Sequence, residues 1–157
     1  MSITHLKAGD VAPSFSANDQ NGNTVSLADF KGKKVALYFY PRDNTPTCTT
    51  QACNLRDNYA VLQQHGIVVL GVSPDHERSH TKFITKHDLP FTLLVDTEKE
   101  LANAYGVFGE KKFMGRITQG IHRTTFLIDE AGNIEQVIKK VKAKIHSQQI
   151  LEALALV

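Results

Sequence analysis

The chain of 157 residues carries two cysteines, Cys48 and Cys53, five positions apart. A thiol can act as a nucleophile, bind a metal or form a disulfide. A domain of this length does not need a disulfide for stability, and so short a loop would constrain the unfolded chain little. In a reducing compartment a close cysteine pair is more often catalytic, redox-sensing or metal-binding than structural. The residues before the first thiol, PRDNTPTC, place a hydroxyl at Thr45, three positions upstream, and stiffen the approach with Pro41 and Pro46.

Cys48, Ala52, Leu55, Tyr59 and Leu62 fall on one helical stripe that Gly66 closes. Cys48 therefore stands at the start of a helix, just after the apolar run Val35 to Tyr40. Unpaired backbone N–H groups and the positive end of the macrodipole favour an anion there, and the thiolate is the nucleophilic form. Strand-to-helix junctions of open sheets are also where crevices form. Cys53 lies about 140° round the same helix, which puts the two Cα atoms about 8.6 Å apart. That exceeds the ~7 Å limit for bridging without backbone movement, so a disulfide requires the first turns to unwind. Two thiols at this spacing do not supply a closed tetrahedral metal set. A reactive thiol with a partner is as far as spacing leads. A thiol–disulfide oxidoreductase and a non-catalytic redox sensor both stay open, although the C-x-x-C of the former is absent.

His76-Glu77-Arg78-Ser79-His80 matches the H-E-x-x-H of zinc hydrolases. Both histidines continue the apolar stripe of Phe83 and Ile84, which favours partly buried side chains, and only Glu98 and Glu100 offer a third ligand. Lys139, Lys140, Lys142 and Lys144 read as solvent-facing lysines of a late strand rather than a nucleic-acid patch.

The elements that must position Cys48 follow from periodicity. Phe15 to Asp19 and Thr24 to Leu27 flank Asn21-Gly22 and predict a hairpin. Val35 to Tyr40 and Ile67 to Val72 are buried strands, with Pro41 ending the first. Ser73-Pro74-Asp75 opens a helix, Thr92 to Val95 is a short strand, and Thr97 with Glu100 suggests a capping box. Thr124 to Ile128 and Ile134 to Val141 should pair antiparallel, followed by a last helix. The class is α/β, one domain over residues 1–157, with a central mixed sheet flanked by helices.

A net charge of +2 argues against nucleic acid or an anionic membrane as main partner. No apolar stretch approaches the ~20 residues of a membrane span, and a cytoplasmic location is the expectation.

With Pro41, Thr45 and Cys48 in the order Pro, three residues, Thr, two residues, Cys, the sequence resembles the peroxiredoxins. FYPRDNTPTCTTQAC, GEKKFMGR and GIHRTTFLID resemble the Q or bacterioferritin-comigratory-protein branch over nearly the whole chain. The resemblance implies a thioredoxin-like fold and thiol-dependent reduction of hydrogen peroxide and organic hydroperoxides. It assigns Cys48 as peroxidatic, Cys53 as resolving and Arg123 as the active-site arginine, with Thr45 as a donor and Pro41 as a shield. It implies a Cys48–Cys53 disulfide recycled by thioredoxin or a similar dithiol protein, no cofactor or metal, and a monomer. The absence of a GGLG loop and a C-terminal YF tail implies resistance to overoxidation.

Overall fold

The computed structural model describes residues 3–156. Seven strands form one mixed sheet. They are β1 (Ser16–Asn18), β2 (Thr24–Ser26), β3 (Lys34–Phe39), β4 (Ile67–Ser73), β5 (Thr92–Val95), β8 (Thr124–Ile128) and β9 (Ile134–Ile138). Their order is β2-β1-β5-β4-β3-β8-β9, with β3, β4 and β5 parallel and the others antiparallel to their neighbours. This is the expected α/β fold, thioredoxin-like, with an N-terminal β-hairpin.

The apolar run of β3 is explained by burial on both faces. Ala36, Tyr38 and Tyr40 join one cluster, under α1 (Pro46–Asp57), α2 (Tyr59–Gln64), α3 (Glu77–His87) and α5 (His146–Ala153). Val35, Leu37 and Phe39 join the other, with α4 (Glu100–Ala104). Gly71 of β4 lies opposite Tyr38, and a Cβ there would meet Leu93 at 2.7 Å and the Tyr38 ring at 3.0 Å. Glycine is therefore what lets the Tyr38 ring lie across β4.

Several expectations shift. The helix carrying both cysteines stops at Asp57, and Asn58, at φ −114° and ψ 14°, separates it from α2, whose end Gly66 closes at φ +72°. The helix expected from Ser73 starts only at Glu77, with His76 as its cap. The Thr97 capping box does not form. Instead the buried Asp96 carboxylate accepts the amides of Leu101 and Ala102, while Lys99 turns the chain with a left-handed φ of 59°. The late strand ends at Ile138, so Lys139, Lys140, Lys142 and Lys144 are residues beyond it rather than a strand edge.

An unforeseen hairpin, β6 (Phe108–Phe113) with β7 (Arg116–Ile121), forms a separate two-stranded sheet. Its turn is Met114-Gly115, both at positive φ, a conformation whose usual signal is Asn-Gly. Its strands are largely exposed, so no apolar alternation marked them. Among the described residues no helix is long and apolar enough to cross a membrane.

Candidate active site

β3 runs out at Phe39, and Tyr40 makes one more bond to β4 before Pro41 turns the chain. Asn44 takes a left-handed φ of 61°, and Thr45 then caps α1 with Pro46 at its first position. The first intrahelical bond runs from the Thr49 amide to the Thr45 carbonyl, so the amides of Thr47 and Cys48 precede the ladder. Cys48 is on the inward face, 2% exposed. Its thiol is thus sheltered yet held where the helix favours negative charge.

Arg123 comes from the strand next to β3. β8 is antiparallel to β3, with Thr124 opposite Phe39, so the start of β8 lies beside the end of β3 where α1 begins. Arg123 Nη2 donates to Cys48 Sγ at 3.3 Å, and Nη1 donates to Gln51 Oε1 at 2.6 Å. Gln51 follows Cys48 by three positions on the same helical face and is fully buried; its Nε2 has no partner among the described residues. This orienting amide was not singled out from the sequence, since only the fold reveals that it meets an arginine 72 positions away.

The Thr45 hydroxyl donates to the Arg42 carbonyl at 3.0 Å, closing the loop rather than reaching the sulfur. Its single proton is engaged, so donation to a substrate requires the hydroxyl to rotate. Pro41 is half-buried at the mouth of the loop. A cleft of about 550 Å³ borders the helix start, lined by Pro46, Thr47, Thr50, Ala143 and Ile145 with Lys142 and Lys144; a second, about 340 Å³, is lined by Lys111, His122, Arg123 and Lys140.

The loop is pinned from below by a network that the sequence reading missed. Asp43 is 6% exposed and accepts from Tyr40 Oη at 2.6 Å, Ser79 Oγ at 2.8 Å and His80 Nδ1 at 2.8 Å. His80 Nε2 meets the Leu94 carbonyl at 2.8 Å, so both ring nitrogens face acceptors. Burial pushes the Asp43 carboxyl up, but the hydrogen bond and charge of His80, with Tyr40 and Ser79, outweigh it and hold it below the ordinary carboxylate range. The H-E-x-x-H pattern dissolves here. His76 is exposed and its Nδ1 accepts the Ser79 amide at 3.3 Å, while His80 is buried against Asp43. Asp75 lies near that pair, but its Oδ2 already accepts the Asp43 amide and the Ser73 hydroxyl.

Cys53, on the same unbroken helix, is half-buried, and both thiols are free. Its Sγ lies 3.8 Å from His87 Nδ1 at the end of α3. The second half of α1 is anchored. Asn54 donates to the Lys144 carbonyl at 3.0 Å and accepts the Ser147 amide at 2.8 Å, and Arg56 donates to the His87 carbonyl at 2.8 Å.

A thioredoxin-like sheet presenting a sheltered cysteine at a helix start, against an arginine, defines the class of thiol-based redox enzymes. Comparison with known proteins narrows it. The AhpC/TSA family model matches residues 8–137. Peroxiredoxin Bcp of Escherichia coli strain K12 is 49% identical over 146 residues, covering 93% of this chain and 94% of that one. The crystal structure of a cysteine-to-serine mutant of Xylella fastidiosa PrxQ superposes with a TM-score of 0.90 at 30% identity, covering 97% of each chain. A Xanthomonas campestris bacterioferritin comigratory protein, described with trapped intermediate and ligand complexes for its alkyl peroxide reduction activity, superposes at 0.84 with 33% identity over 90% of each chain. The chain belongs to the AhpC/TSA family, within its Bcp or Q branch of peroxiredoxins, and is a thiol peroxidase.

Proposed function

We propose that the whole chain acts as one domain in which Cys48 reduces hydroperoxides and Cys53 resolves the oxidised sulfur. The observation that carries this reading is the Arg123 guanidinium 3.3 Å from a sheltered Cys48 sulfur at the start of α1. The Cys48 thiolate attacks one peroxide oxygen, the O–O bond breaks, and the departing alkoxide or hydroxide takes a proton from solvent. Negative charge grows on the leaving oxygen, where a preorganised, permanently charged donor such as Arg123 has most effect. Gln51 keeps that guanidinium in place, and the Asp43–His80 pair holds the loop carrying Pro41 and Thr45.

Cys48 is then a sulfenic acid. Condensation with the Cys53 thiol forms a disulfide and releases water before the sulfur climbs to irreversible states. Because α1 is unbroken between the two, its first turns must open for this step. Thioredoxin or a similar dithiol protein returns both thiols. A close cysteine pair in a domain that needs no disulfide suits a reducing compartment such as the cytoplasm. The apolar cleft along Pro46, Thr47 and Thr50 suits organic hydroperoxides as well as hydrogen peroxide.

One equivalent of hydrogen peroxide added to reduced protein should remove both thiols within seconds, and none in Cys48→Ser. Survival of both thiols in the wild type would overturn the reading.

A further inference from the structure

We propose that His87 is a further catalytic residue, the base that takes the proton from Cys53 when that thiol attacks oxidised Cys48. The inference rests on the reading of Cys53 as the resolving thiol. Three observations carry it. The imidazole Nδ1 is 3.8 Å from Cys53 Sγ, within reach of a thiol hydrogen bond. The ring is held in place, packed edge-on against Phe83 with centroids 5.3 Å apart. The backbone beneath it is gripped by Arg56, one turn after Cys53 on the same helix, whose Nη1 donates to the His87 carbonyl at 2.8 Å.

The groups around the ring favour a neutral base. Partial burial, then the positive charges of Lys86 on its own helix and Arg56 on α1, push the imidazole below its ordinary range. Asp88 follows at the end of α3, and Cys53 is the titratable group facing Nδ1. Near neutral pH the ring is therefore ready to accept a proton.

The geometry also suits the motion the disulfide requires. Cys48 lies in the first turns of α1, whereas Cys53 sits on the half that Asn54 and Arg56 anchor. Unwinding the first turns can bring the oxidised sulfur to a Cys53 that stays beside His87. The Cys53 proton then passes to His87 Nδ1, and the thiolate pair forms the S–S bond as the S–O bond of the sulfenic acid breaks. The hydroxide released takes a proton from solvent, and the imidazolium returns one to solvent. Cys53 is oxidised, the sulfenic sulfur is reduced, and the net product is water. Arg123 does not serve Cys53 as a base, because it is at the other thiol and is permanently charged.

The test mixes reduced full-length protein rapidly with one equivalent of hydrogen peroxide. Acid quenching and mass analysis then follow sulfenic acid and disulfide separately from acid to alkaline pH, across the imidazole titration. General-base assistance is commonly worth ~10²–10⁴-fold, and helix opening shares control of this step. His87→Gln should therefore slow disulfide formation about tenfold or more near neutral pH. The wild-type rate should level off above the imidazole titration, whereas the variant's should climb with hydroxide concentration and converge on the wild type at high pH. In His87→Ala, added imidazole should restore part of the rate. An unchanged rate, or a slowing by the same factor at every pH, would overturn the proposal. If peroxide left the Cys53 thiol intact in the wild type, the resolving role itself would fail, an outcome separate from any change in rate.

Discussion

The two thiols share one helix and differ in everything around them. Cys48 is sheltered at the first turn, faces an arginine and sits over a loop locked by Asp43 and His80. Cys53, further along the helix, is half-buried, beside a neutral-leaning imidazole and on a stretch tied to α5. The first environment sets a guanidinium against a buried sulfur; the second sets an imidazole beside a half-buried one. Identical side chains meet different surroundings because a helix start and a helix middle offer different electrostatics.

The contrast is open to direct attack. The largest effect should come from Arg123→Gln, which removes the charge at the Cys48 end alone. Loss of one preorganised donor typically costs ~10²–10³-fold, so peroxide reduction should slow by about that factor in single-turnover kinetics. A change under about threefold would mean the guanidinium is only structural.

The buried end should also be acid-sensitive. His146 lies edge-on to Tyr38 in the core beneath α1, with Nε2 2.8 Å from the Thr125 hydroxyl. Burial drives its imidazole down to about 4, against about 6.5 when unfolded. Its neutral form is favoured by folding, so the contribution is complete above about pH 6.5 and is lost as pH falls toward 4. Denaturant titrations should show a loss of about 3 kcal/mol across that window from this group. The share should vanish in His146→Leu; the same slope in the variant would assign it elsewhere.

The smallest effect tests why the first turns can open at all. Thr47, Thr49 and Thr50 crowd the helix start with β-branched residues, and the Thr50 hydroxyl donates back to the Pro46 carbonyl at 3.0 Å. Threonine is poorer than alanine by roughly 0.5 kcal/mol per helical position. Replacing Thr49 and Thr50 by alanine should therefore slow disulfide formation about fivefold while helicity rises slightly by circular dichroism. A faster second phase would show that opening is not the controlling step.

Legibility followed the range of each interaction. The strands β3 and β4 announced themselves through apolar runs, and Gly66 through its turn chemistry. The β6–β7 hairpin did not, because its strands are exposed and its turn uses methionine at a left-handed position. The histidine pattern suggested one shared helical face, yet His76 became a cap and His80 a core partner of Asp43, since a chain segment 37 positions away claimed it.

By itself, the amino-acid sequence determined that two thiols five apart ride one helix whose start favours an anion, and that they cannot bridge without unwinding. These follow from helix rise, twist and free amides, which are local. The family resemblance pointed to Arg123, but only the tertiary structure decided how it meets Cys48 75 positions away, that Gln51 holds it, and that His87 lies beside Cys53. Those meetings depend on the strand order and on which helix end packs beside which, quantities that local periodicity does not encode.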